Sequence, residues 1–216
     1  MLRNYWWVGV MFIALTSCSS TYFNNANDMG KAFGQVTLQD GTELSGAISF
    51  RARTNNIKFY GSDSKEARKI LLSDIKFIEI RGNKYAPKLI RDRGSLTMRF
   101  LKPLTRDDSR LGLYEFYEEE TRTVHDYRGR PYTRDQEKII YYLETPVMRG
   151  QEPLWELSGK QLVPNFDVKM SEVVKDCPAL AEKIRNKERG YFYAMITGRD
   201  RVDIMLNIIE EYNRCK

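Results

Sequence analysis

The chain has 216 residues, 42% of them hydrophobic and 30% charged, with a formal net charge of +6. That balance belongs to a globular protein and excludes a disordered, collagen-like or multi-span membrane chain. One histidine and three cysteines, with no Cys-x-x-Cys or His-x-x-x-His spacing, argue against a structural zinc site, and the basic excess fits a soluble surface better than a nucleic-acid partner.

The chain opens with Arg3 and an uninterrupted apolar run over residues 6–15. A membrane-spanning helix needs about 20 apolar residues, so this run matches the h-region of a signal peptide. Leu15, Thr16, Ser17 and Cys18 follow, and this tetrad resembles the bacterial lipoprotein lipobox. The resemblance implies a diacylglycerol on the Cys18 thiol, cleavage after Ser17 and acylation, commonly by palmitate, of the new amine. Two or three acyl chains hold a protein on a membrane where one does not. Ser19 in place of an aspartate implies, by resemblance to enterobacterial sorting, an outer-membrane address facing the periplasm. The alternative is an ordinary cleaved signal, or a short signal anchor, with an incidental cysteine. Residues 1–17 are thus expected to be a signal peptide, and 18–33, small and polar, a lipid-anchored tether.

A β module is expected over residues 34–158. Val36 and Leu38 alternate with polar residues, Asp40-Gly41 follows, and Leu44, Gly46, Ile48 and Phe50 alternate again. Two period-2 runs around Asp-Gly predict a hairpin. Further strands are predicted at 57–60, 69–72, 75–80, 96–101, 113–121, 138–145 and 154–157. The run Ile139 to Leu143 is apolar on both faces, as in a strand covered by helices. Such closely spaced strands predict an antiparallel β sandwich or small barrel. Residues 105–110 read as a polar turn. Residues 122–136 read as a longer loop, with His125, Tyr127 and Tyr132 among Arg122, Arg128, Arg130 and Arg134 and ending on Gln136.

From residue 165 to 216 the period becomes helical, giving an α+β chain. Val173, Val174 and Cys177 share a face. Pro178 suits the first turn of a helix carrying Leu180, Ala181 and Ile184 and closing at Gly190. Asp200 suits the cap of a last helix bearing Val202, Met205, Ile208, Ile209 and Tyr212. Cys177 and Cys215 are an even pair left over from Cys18 and face inward from helices expected to pack together. In an oxidising compartment they are expected to be bridged, stapling the helical module. Two free buried thiols would be the expectation in the cytosol.

Two stretches resemble an uncharacterised family of secreted or lipid-anchored envelope proteins of Bacteroidota. One runs from Asp40 to Ile48 with the lead-in Ser73, Asp74, Ile75 and Lys76. The other runs from Asp176 to Ile184 with the terminal Glu211, Tyr212, Asn213, Arg214 and Cys215. The resemblance implies a β module followed by a disulfide-stapled helical module, and no reaction.

No catalytic constellation is visible. His125 beside Asp126 has no Gly-x-Ser-x-Gly nucleophile to serve. Glu118, Glu119 and Glu120 are adjacent on a strand and cannot all face one ion. No phosphate-cradling glycine loop is present, and no cofactor or metal is expected. The unusual feature is residues 81–110, with nine lysines and arginines against three aspartates. Arg81, Lys84, Lys88, Arg91, Arg93 and Arg99 are its candidate anion-binding residues, arginine forks suiting phosphate and carboxylate groups. The function expected is a non-catalytic envelope lipoprotein acting in binding or assembly. Its partners would be the membrane through Cys18 and another envelope protein or an anionic glycan or lipid. The alternative is an envelope hydrolase with a carboxylate-based site near residues 122–136.

Overall fold

The computed structural model describes residues 28–51, 54–61, 66–92, 94–149, 152–194 and 200–215. Signal, lipobox and Cys18 lie outside the described residues, as does Arg93. Ten strands form one antiparallel sheet in the order β10-β9-β8-β7-β6-β5-β1-β2-β3-β4. They are β1 (Asp28–Leu38), β2 (Glu43–Arg51), β3 (Asn56–Gly61), β4 (Arg68–Leu71), β5 (Ile75–Ile80), β6 (Asn83–Asp92), β7 (Ser95–Pro103), β8 (Gly112–His125), β9 (Pro131–Glu144) and β10 (Trp155–Glu156). The sheet does not close on itself: β4 and β10 are its edges, so the fold is sandwich-like and not a barrel. Three helices follow, α1 (Phe166–Val173), α2 (Pro178–Arg185) and α3 (Asp200–Arg214).

The predicted hairpin forms in the register its pattern demands, Val36 opposite Leu44 and Gly34 opposite Gly46. Its turn is closed by Leu38 N–H to Thr42 O at 2.9 Å, with Gly41 at φ 88°. β1 begins at Asp28, inside the stretch expected to be tether, because Asp28 and Met29 already pair with Arg51 and Phe50. Gly34 lies against the Glu79 carbonyl, where a Cβ would come within 2.4 Å. Glycine is therefore what lets β1 and β5 approach.

Three apolar clusters occupy the layers. Val36, Ile48, Phe50, Ile57, Ile75, Ile78 and Ile80 form the first with Tyr85 and Phe100, and Phe50 meets Phe100 edge-on at 5.0 Å. Consecutive strand residues point to opposite faces. Phe100 accordingly enters this cluster while Leu101 enters a second, with Ile90, Tyr114, Phe116, Tyr142 and Leu154. Likewise Tyr142 joins the second and Leu143 the third, where Leu111, Leu113, Leu143 and Leu157 pack against Leu180, Ile184, Met205, Ile208 and Tyr212 of the helices. Of the doubly apolar run of β9, Tyr142 and Leu143 are thus buried on opposite sides, whereas Ile139 at its other end is exposed. The helices share a core with the sheet and complete it.

Cys177 and Cys215 are joined by a disulfide, with Cα atoms 5.9 Å apart. α2 ends at Arg185, short of Gly190, where Lys187 takes a left-handed φ of 57° that no helix continues through. The expected loop 122–136 is instead the far end of the β8–β9 hairpin. Pairing runs unbroken from Gly112 opposite Glu144 to His125 opposite Pro131. Its polar character on both faces reflects water on both sides of a ribbon, not the absence of a strand.

Candidate functional site

β6 is the strand the hydrophobic pattern did not reveal, and the candidate site lies along it. Arg81 and Gly82, at φ 51° and 75°, make the tight turn into β6. β6 pairs with β5 only over Asn83, Lys84 and Tyr85, then leaves it and continues on β7 alone. Pro87 falls just beyond that parting, where a missing N–H costs no ladder bond. The gap is an open groove of about 760 Å³, within the roughly 300–1,000 Å³ of small-ligand sites. Ile75, Phe77, Leu89, Met98 and Leu154 supply its apolar surface, and Lys76, Lys84, Lys88, Arg106 and Arg149 its cations. Asp107, Glu144 and Glu152 are the opposing carboxylates. Pro87 has no N–H for an added strand and Leu89 O already accepts from Leu154 N–H at 2.9 Å. The β6 side of the groove therefore offers side chains more than backbone groups to a ligand.

The deepest polar group is Glu144, 6% exposed at the end of β9. Lys88 Nζ donates to both its oxygens at 2.7 and 2.8 Å, and the Tyr114 hydroxyl donates to Oε2 at 2.7 Å. Lys88 also stands over the Tyr114 ring, 4.8 Å from its centre. Burial, then the charge of Glu144, push the Tyr114 hydroxyl far above its ordinary value, so it remains a proton donor. Gly112 leaves the space for this cluster. A Cβ there would meet the Tyr114 ring at 2.7 Å and Glu144 Oε2 at 3.0 Å. At the rim Lys84 bonds Asp107, and Arg149 donates to the Ser109 carbonyl at 2.7 Å.

Of the six candidate anion-binding residues, the fold brings Lys84 and Lys88 into the groove. Arg81 sits in the β5–β6 turn. Arg91 donates to Gly94 O at 3.3 Å, and Arg99 is spread over Thr97, the Met98 carbonyl and Asp92. These three do not line the groove. Lys76, Arg106 and Arg149 do, and sequence reasoning did not select them for it because they come from three separate segments. Alternation along β6 was the available signal: Lys84, Ala86 and Lys88 share one face. Among the described residues no group of three histidine, cysteine, aspartate or glutamate side chains is placed to hold a metal ion.

Comparison with protein-family models, with curated proteins and with solved structures finds no match to this chain. No helix among the described residues is long and apolar enough to cross a membrane.

Proposed function

We propose that this chain is a lipid-anchored, non-catalytic binding module of the bacterial envelope, and that the groove beside β6 holds an anionic, partly apolar ligand. One observation carries the reading: five cations and an apolar wall meet in one groove, and two of its three carboxylates are already bonded to lysines. Glu144 accepts from Lys88 and Tyr114 and Asp107 accepts from Lys84. Held as acceptors, Glu144 and Asp107 balance the charge of two lysines and are not placed as the proton-exchanging carboxylate a hydrolase needs. Residues 122–136, where a hydrolytic site was the alternative, belong to a hairpin and do not line the groove. The envelope address rests on the Leu15–Cys18 tetrad, and the Cys177–Cys215 bridge supports it, since disulfides persist in oxidising compartments.

Two measurements test this. Radiolabelled palmitate is expected in the native protein and absent from Cys18→Ala; equal labelling removes the anchor. Calorimetric titration with a short-chain anionic lipid and with a soluble peptidoglycan fragment is expected to give saturable binding to at least one of them, weakened about tenfold or more by Lys76→Glu with Arg149→Gln. Turnover of either probe, or binding indifferent to both substitutions, overturns the groove assignment.

A further inference from the structure

We infer that the end of the β8–β9 hairpin is a contact arm for an anionic lipid bilayer surface, independent of the groove and of the acyl anchor. β7 pairs with β8 only at Glu115 and Tyr114, and β10 pairs with β9 only at Leu143 and Tyr142. Phe116 and Ile140 are the last residues of the arm that pack in an apolar core cluster. Beyond them, eight residue pairs from Glu118 opposite Lys138 to His125 opposite Pro131 run on with no neighbouring strand among the described residues. At 3.4 Å per residue this arm reaches about 24 Å past the body. A two-stranded ribbon unsupported on either face is marginal in water and gains from a surface to lie against.

The chemistry of the tip selects that surface. Tyr127 is 89% exposed and Tyr132 50% exposed, and Arg128, Arg130 and Arg134 are all exposed. Val124 and Tyr132 are register partners, and Arg134 lies two residues on from Tyr132, on the same face. The Arg128 guanidinium stands 5.1 Å from the Tyr127 ring centre. Asp126 is the one acid of the turn. Its Oδ1 accepts the backbone N–H groups of Arg128 and Arg130 at 2.8 Å each, which shapes the turn. Residues 127–134 therefore carry three arginines and no acid. Glu118, Glu119, Glu120, Asp135 and Glu137 lie toward the root of the arm. Asp135 follows Arg134 directly, but along the strand it is about 17 Å from Arg130, beyond the Debye length of about 8 Å, so Arg128 and Arg130 at the tip keep their charge. Guanidinium forks take lipid phosphates and tyrosine rings settle at headgroup depth. A soluble anion would use the arginines and leave both rings in water.

The test is hydrogen exchange and vesicle co-sedimentation on the full chain carrying Cys18→Ser, so that no acyl group contributes. Vesicles of phosphatidylglycerol with phosphatidylcholine are expected to protect the amides of residues 126–134, and phosphatidylcholine alone is not. High salt is expected to abolish the protection. Each arginine near an anionic surface contributes about five-fold in partitioning. R128E, R130E and R134E combined are thus expected to lose at least 100-fold on the anionic vesicles and nothing on the zwitterionic ones. Tyr127→Ser, which keeps every charge, is expected to weaken binding without removing the salt dependence. Equal protection by glycerol 3-phosphate at the same phosphate concentration would make this a phosphate site and overturn the inference. So would protection that rises with protein concentration without vesicles, which would mark a second copy as the partner, or an anionic preference that survives the triple substitution.

Discussion

Tyr114, Tyr191 and Tyr212 share one arrangement: a carboxylate takes a hydrogen bond from the tyrosine hydroxyl and another from a cation that also lies over the same ring. Lys88 and Glu144 serve Tyr114, Lys183 and Glu211 serve Tyr191, and Arg110 and Asp176 serve Tyr212. The two outer clusters set a pH dependence. The Tyr212 hydroxyl, then Arg110, hold the Asp176 carboxyl below its ordinary value. Burial raises Glu211, but hydrogen bonds from Tyr191 and Lys183 outweigh it and leave it lowered. A depressed folded-state value means stability that is complete above the unfolded value near 4 and is lost as pH falls through the folded one. Tyr212→Phe, which removes the main cause at Asp176, is expected to flatten the acid limb of the urea midpoint against pH; an unchanged limb would count against the assignment. Two further single-site outcomes follow. Gly112→Ala is expected to cost roughly 1–3 kcal/mol, because the Tyr114 ring it strikes is buried and cannot yield. Thr37, 6% exposed, has a hydroxyl with no hydrogen-bond partner among the described residues, so Thr37→Val is expected to raise stability by about 1 kcal/mol in urea unfolding.

Among the elements, the strands visible from sequence are those with one apolar and one polar face, such as β2 and β5, or with turn glycines at their ends. β6 was not visible. Its buried residues, Tyr85 and Ile90, are five apart and enter different clusters, so no period of two survives, and Pro87 reads as a breaker until the parting from β5 is known. The groove was hidden with it. The arm was misread for the opposite reason: its pairing is regular, but water on both faces removes the apolar alternation that marks a strand. The disulfide was legible because both cysteines fall in step with apolar residues of the sequence, although the structure puts Cys177 at the N-cap of α2 and Cys215 just past the end of α3. It closes a separation of 38 residues, worth roughly 4 kcal/mol in the chain-entropy model. Cys177→Ser with Cys215→Ser is expected to lower unfolding stability by about that amount, and reduction of the native protein to do the same.

For the whole molecule, the shared cluster of Leu111, Leu113, Leu143 and Leu157 with the helices means that the sheet does not stand alone. Removal of residues 165–216 is expected to yield an aggregating sheet. The helical layer is also pinned from the sheet side. Arg110 donates to the Tyr212 and Cys215 carbonyls at 3.3 and 3.4 Å, and its own N–H goes to Asn213 Oδ1 at 2.8 Å. These carbonyls lie at the end of α3, the negative pole of the helix, where Tyr212 O also accepts from Cys215 N–H at 3.2 Å. Ser109, next in the chain, lines the groove and is gripped by Arg149. The wall of the groove and the cystine are thus two ends of one short strap. Thiol reductant is expected to hasten amide exchange in residues 104–111 before any global unfolding, so the oxidation state of two sulfurs in the helical layer would govern how tautly a distant cleft is held.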